Sequence, residues 1–215
     1  MDQLHETKDS DKSRRLKIAI LGGSFDPIHF GHLQLAQWAY EELELSKVLF
    51  IPAATPPHKR SVHLSDAFHR LAMVKIALEQ YPQFAVSDIE INRQGISYTI
   101  DTIQEIKLQF QLNSNDLHLI IGADNLVTFY SWRSPEQILK ECRVVAFRRP
   151  GFDLNEVDPD LLAQVEILNT PLLPVSSTEI RKKIRGGESV ANLVPEEVLT
   201  YIWQHHLYGA PDLKK

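Results

Sequence analysis

Gly22-Gly23-Ser24-Phe25-Asp26-Pro27-Ile28-His29-Phe30-Gly31-His32 is the stretch on which the reading of this chain turns. An apolar run, Ile18-Ala19-Ile20-Leu21, precedes it, and a helical pattern starts near Leu33. A buried strand therefore enters a glycine-rich turn, meets two histidines and becomes a helix. Glycines let a backbone approach a ligand closely. A helix N-terminus offers unpaired N–H groups and a partial positive charge, which together suit phosphate. His29 and His32 add side-chain donors at that same end. The bland alternative is a tight turn with two locally satisfied histidines. Neither the dinucleotide fingerprint GxGxxG nor the P-loop GxxxxGK[ST] occurs in this stretch.

Working outward, strands and helices alternate. Leu16–Leu21, Val48–Ile51, Phe84–Ile91, Leu117–Ile121, Val144–Phe147 and Val165–Leu168 read as strands. Helices are expected over Leu33–Leu43, from Ser65 or Asp66 to about Gln80, from Thr99 or Asp101 through Phe110, and over Pro135–Cys142. Two more follow: one capped by Ser176 or Ser177 and stopped by Gly186-Gly187, and one over Pro195–Tyr208. In the second helix Phe68, Leu71, Ala72, Ile76 and Leu78 are the expected buried positions. This alternation predicts an α/β fold with a Rossmann-like, mainly parallel sheet flanked by helices. Ligands in such folds sit beyond the carboxyl ends of the strands.

Residues 1–15 read as a mobile arm, 16–208 as one domain and 209–215 as a tail. With 43% hydrophobic and 24% charged residues among 215, the chain is an ordinary globular one. No apolar run reaches transmembrane length, so no membrane role is expected. One cysteine, Cys142, excludes an intrachain disulfide and favours a cytoplasmic setting. A net charge of −5 argues against broad nucleic-acid binding, so any phosphate site must be built locally. There is no cysteine-rich zinc pattern, and no protein metal site is expected.

The motifs together resemble one family. His29-Phe30-Gly31-His32 is similar to the (H/T)xGH signature of the nucleotidyltransferase superfamily. More narrowly the chain resembles the nicotinate-nucleotide adenylyltransferases. Pro56-Pro57-His58-Lys59, Ser97–Thr102, Ile121–Asp124, Trp132, Arg149-Pro150-Gly151 and Ser176–Arg181 carry the resemblance, in that order. It implies adenylyl transfer from ATP to nicotinate mononucleotide, giving deamido-NAD and pyrophosphate. Close rivals are a nicotinamide-mononucleotide or dual-specificity enzyme; a noncatalytic nucleotide-binding regulator is the rival from another class.

The resemblance also implies roles. His29 and His32 contact the ATP phosphates, with His32 expected to act in the transition state. Gly22, Gly23, Ser24 and Gly31 form the floor; Ser177, Thr178 and Arg181 bind phosphate; Gly122 and Asp124 border the adenosine. His58 and Lys59 lie near the mononucleotide phosphate. Trp132 is expected to stack on the nicotinate ring, with backbone N–H groups near it and near Thr99 receiving the ring carboxylate. The family often has tyrosine where this chain has Arg133, so Arg133 is either a partner for that carboxylate or a solvated side chain. Mg2+ is expected to arrive with ATP, and the oligomeric state is open.

Overall fold

The computed structural model describes residues 15–56, 64–148, 152–169 and 174–210. Six parallel strands form one sheet in the order β3-β2-β1-β4-β5-β6. They are β1 (Ile18–Gly23), β2 (Lys47–Pro52), β3 (Phe84–Val86), β4 (Leu117–Gly122), β5 (Arg143–Phe147) and β6 (Glu166–Leu168). The helices are α1 (Phe30–Glu42), α2 (Ala67–Leu78), α3 (Ile89–Arg93), α4 (Thr99–Phe110), α5 (Pro135–Glu141), α6 (Pro159–Leu162), α7 (Ser177–Arg185) and α8 (Glu196–Gln204).

Because successive strand residues face opposite ways, each strand feeds two cores. Ala19, Leu21, Val48, Phe50, Ile120 and Val145 pack with the buried faces of α1, α2, α7 and α8. Ile18, Ile20, Leu49, Ile51, Leu119 and Val144 pack with α4, α5 and α6. Burial on both faces explains why these strands read as continuous apolar runs. The chain leaves β1 toward β2 and β3, then returns to place β4 on the other side of β1. The order therefore reverses between β1 and β4, and a crevice opens beyond their carboxyl ends there. Gly22–Ser24 and Gly122–Asp124 border it.

Three elements differ from the sequence reading. The expected strand Phe84–Ile91 ends at Val86, and α3 follows. Glu90 and Ile91 are both buried, which neighbours on a one-sided strand cannot be, and a helical turn allows it. Phe68 is 70% exposed, because the buried stripe of α2 starts only at Arg70. The last helix stops at Gln204 with Pro195 as its N-cap, and a separate 3-10 turn spans Leu207–Gly209. Left-handed backbone at His206 (φ 51°) and Tyr208 (φ 62°) turns the chain back toward β1. Such angles cost an L-residue roughly 1–2 kcal/mol, and Tyr208 recovers that through a buried hydrogen bond described below. The acidic stretch 152–164 holds a 3-10 turn at Leu154–Glu156 and α6, whose N-cap Asp158 accepts from the amides of Asp160 and Leu161.

Candidate active site

The loop from β1 to α1 is built from inside the protein. Phe25 sits in left-handed backbone (φ 47°), and its ring is 1% exposed. A Cβ on Gly23 would stand 3.1 Å from that ring, so Gly23 is needed for Phe25 to fold under the strand. Gly22 is different: a Cβ there meets nothing within 4 Å, so the strand end faces open space. Asp26 is fully buried and followed by a cis Pro27.

His29 is the N-cap of α1 and His32 lies in its first turn. The His29 N–H donates to His32 Nδ1 at 3.3 Å. A ring nitrogen that accepts carries no proton, so the His32 ring proton sits on Nε2. The two imidazoles stack with centroids 3.7 Å apart, and the edge of Phe25 packs against His32 at 5.0 Å. Gly31 makes this stacking possible, since a Cβ there would lie 3.1 Å from the His29 ring.

The N-terminus of α7 is tied to this loop across about 150 residues of sequence. Ser176 caps the helix, its hydroxyl accepting from the Glu179 amide at 3.2 Å. Ser177 Oγ donates to the Pro27 carbonyl at 2.9 Å, and Arg181 donates to the Asp26 carbonyl at 2.7 Å and to Thr178 Oγ1 at 3.3 Å. Two helix N-termini with their hydroxyls, one guanidinium and two imidazoles thus meet on one side of the crevice. Donors of this kind suit a polyphosphate.

Beneath them lies a set of residues that the sequence did not mark. Arg70 of α2 is 1% exposed. Its guanidinium donates to three carbonyls: Ser24 at 2.8 Å, Ser65 at 3.0 Å and Ala54 at 3.2 Å. It thereby fastens the loop after β1 to both ends of the segment between β2 and α2. Asp26 Oδ1 accepts from the Tyr208 hydroxyl at 2.7 Å, and Oδ2 accepts from the Ser65 amide at 3.3 Å. Burial lowers the Arg70 pKa, and the Asp26 charge opposes that shift. Burial, and then Asp26, hold the Tyr208 hydroxyl well above its ordinary range, so it stays a donor. No local pattern reveals these residues, because most of their partners are far away in sequence.

The other side of the crevice is less bonded. After β4 the chain makes 3-10 turns at Ala123–Asn125 and Phe129–Ser131. Asp124 is exposed on the first turn, beside Gly122. Trp132 is half-buried; its ring packs on Phe129 at 5.3 Å within the second core. Its amide donates to the Phe129 carbonyl at 3.0 Å, so that N–H is engaged within the turn rather than free for a carboxylate. Its indole Nε1 is buried and meets no hydrogen-bond partner among the described residues. Arg133 lies over the Tyr98 ring at 4.7 Å, 3.7 Å from Asp101 Oδ2. Trp132 and Arg133 thus approach the start of α4, where Thr99 is the first helical residue. His58, Lys59 and Arg149–Gly151 lie outside the described residues. Among the described residues, no group of three or more His, Cys, Asp or Glu is placed to hold a metal ion.

The comparisons agree with this architecture. The cytidylyltransferase-like family model matches residues 20–183. A probable nicotinate-nucleotide adenylyltransferase of Thermoanaerobacter sp. is 41% identical over 202 residues, covering 91% of this chain and 95% of that protein. One from Clostridium tetani is 40% identical over 199 residues, covering 89% and 98%. In fold, the chain is similar to Plasmodium falciparum nicotinic acid mononucleotide adenylyltransferase complexed with NaAD, with a TM-score of 0.75, 20% identity and coverage of 92% and 99%. On the strength of the sequence matches, this chain belongs to the nicotinate-nucleotide adenylyltransferase family of cytidylyltransferase-like proteins.

Proposed function

We propose that this protein transfers the adenylyl group of ATP to nicotinate mononucleotide, forming deamido-NAD and pyrophosphate as a step of NAD biosynthesis. The observation that carries the reading is the union of the β1–α1 loop with the N-terminus of α7, through Ser177 to Pro27 and Arg181 to Asp26, at the crevice between β1 and β4.

In this reaction a phosphate oxygen of the mononucleotide attacks the α-phosphorus of ATP. The bond from that phosphorus to the bridging oxygen breaks, and pyrophosphate leaves with the electron pair. The attacking oxygen is already anionic, so no protein nucleophile is needed. Alignment and charge stabilisation suffice. His32, held by Phe25 and His29, offers its Nε2 proton to charge that develops on the phosphates. His29, Ser24, Gly22, Gly23 and Gly31 line the ATP floor, and Ser177, Thr178 and Arg181 face it from α7. Gly122 and Asp124 serve the adenosine, Asp124 by accepting from ribose hydroxyls. His58, Lys59, Thr99, Trp132 and Arg133 serve the mononucleotide. The protein's donors here are N–H groups and hydroxyls, which fit phosphate oxygens rather than a cation. Mg2+ would therefore enter on ATP and neutralise phosphate charge there.

A second reading draws on Arg133. Its guanidinium is shared between the Tyr98 ring and Asp101, which reduces the cationic field available to a nicotinate carboxylate. That favours some acceptance of nicotinamide mononucleotide as well. We place the activity in the cytoplasm, in keeping with a single cysteine, Cys142, and hence no intrachain disulfide; no helix of the described residues is long and apolar enough to cross a membrane. Pyrophosphate release from ATP, compared with nicotinate mononucleotide, nicotinamide mononucleotide and phosphopantetheine, tests the proposal. Release chiefly with the first supports it. Comparable release with the first two favours dual specificity. ATP binding with no release in any arm would replace the enzyme with a nucleotide-binding regulator.

A further inference from the structure

Glu90 is a buried carboxyl that the proposed chemistry does not use. It sits on α3, 7% exposed, at a distance in sequence from every residue assigned above. Burial raises its pKa above the usual carboxylate range. An acid this enclosed is costly unless its hydrogen bonds are satisfied. Thr102 Oγ1 donates to Glu90 Oε1 at 2.7 Å. Ser97, on the other side of Thr99, opposes the upward shift of Glu90.

Each hydroxyl is in turn held from behind. Thr102 Oγ1 accepts from Arg93 at 2.8 Å, and Arg93 pairs with Glu105 at 2.6 Å. Ser97 Oγ accepts from the Ala54 amide at 3.0 Å, while the Ser97 amide donates to the Thr55 carbonyl at 3.1 Å. Ala54 is therefore gripped at both ends of its residue. Its N–H is held by Ser97, and its carbonyl by Arg70 at 3.2 Å. Arg70 also holds Ser24 in the β1–α1 loop. Bonds thus run from Glu90 to Thr102 and, alongside, from Ser97 through Ala54 to Arg70 and Ser24.

We propose that Glu90 is a positioning residue for the mononucleotide: by holding the Thr102 hydroxyl, with Ser97 beside it, it orients the start of α4 around Thr99 against the loop that leaves β2. The assignment rests on the substrate reading above. Its geometry predicts a one-sided effect. The ATP floor is tied down separately by Arg70, Arg181 and Ser177, so loss of Glu90 slackens the mononucleotide side more.

The test compares wild type, Glu90→Gln and Ser97→Ala by steady-state kinetics, together with amide hydrogen exchange in the absence of substrates. Loss of one buried hydrogen-bonding partner corresponds to about a tenfold effect. The KM for nicotinate mononucleotide should rise about tenfold in both variants, with the KM for ATP within about twofold. Exchange at the Ala54 and Thr99 amides should quicken in both. Equal rises in both KM values, or unchanged KM values with only a lower Tm, would overturn the positioning role. If Glu90→Gln does not fold, Ser97→Ala decides alone by the same criteria. Faster exchange in variants of a wild type that ignores nicotinate mononucleotide would retain the brace and refute its substrate. Unchanged exchange in an active wild-type background would refute the brace and leave the substrate reading intact.

Discussion

The two sides of the crevice are built differently. On the β1 side, His29, His32, Ser177 and Arg181 stand on helix N-termini that bond to each other's loops, above a buried layer of Asp26, Arg70 and Tyr208. On the β4 side, Asp124 lies on a 3-10 turn, Trp132 and Arg133 follow a second one, and Arg133 is 56% exposed. The difference follows from the ligands proposed for each. A polyphosphate carries several charges, and donors stabilise shifting charge best when already in place. A pyridine ring needs an apolar face and a few polar atoms, which a turn packed on the core can supply.

The largest effect expected from breaking this contrast is at His32. His32→Ala should lower kcat about 100- to 1,000-fold, the range for loss of one charge-stabilising donor. The KM for the mononucleotide should change little; an equal loss in mononucleotide binding would place His32 in ground-state recognition instead.

Arg70→Met attacks the buried layer itself. It leaves three carbonyls and the Asp26 charge without their cation and should cost about 3 kcal/mol or more of stability, read by chemical denaturation. A loss near zero would mean that water or a neighbouring side chain replaces the guanidinium.

Trp132→Ala probes the looser side and should give two effects together. The KM for nicotinate mononucleotide should rise several-fold, and stability should fall by about 1–2 kcal/mol because the ring belongs half to the core. A stability loss with an unchanged KM would make Trp132 purely a core residue.

The smallest effect lies at the far end of β4. His118 is 2% exposed, and burial lowers its pKa, with Arg143 and Lys17 adding to the shift. The unfolded chain binds that proton near the ordinary pKa of about 6.5, before the native state does. Stability should therefore decline as pH falls below about 6.5, and His118→Gln should flatten the decline in a pH series of unfolding curves. The same slope in the variant would assign the pH dependence to other groups.

How much of this was legible in advance depends on range. The glycine turn, the Ser176 cap and the strands with continuous apolar runs are local signals, and each sits within two residues of its expected place. Residues 84–91 read as a strand because Phe84 and Val86, and then Ile89 and Ile91, are each two apart, although the step between the pairs is three. The helix shows in the Asn92 amide, which donates to the Asp88 carbonyl at 2.9 Å. Arg70, Asp26 and Tyr208 carried no signal of partnership, since all but one of their partners lie 16 to 182 residues away.

The sequence by itself determined the fold class, the family and the set of side chains proposed for phosphate. These depend on hydrophobic periodicity, capping and short motifs, which are properties of neighbouring residues. The tertiary structure decided what holds those side chains in place. Only folding brings Arg181 to the Asp26 carbonyl, Arg70 to three carbonyls on two loops and Glu90 beneath the start of α4. A buried hydrogen bond has no sequence period: its partners are whichever polar atoms the packed sheet and helices leave within reach, and the cost of leaving them unpaired selects the arrangement.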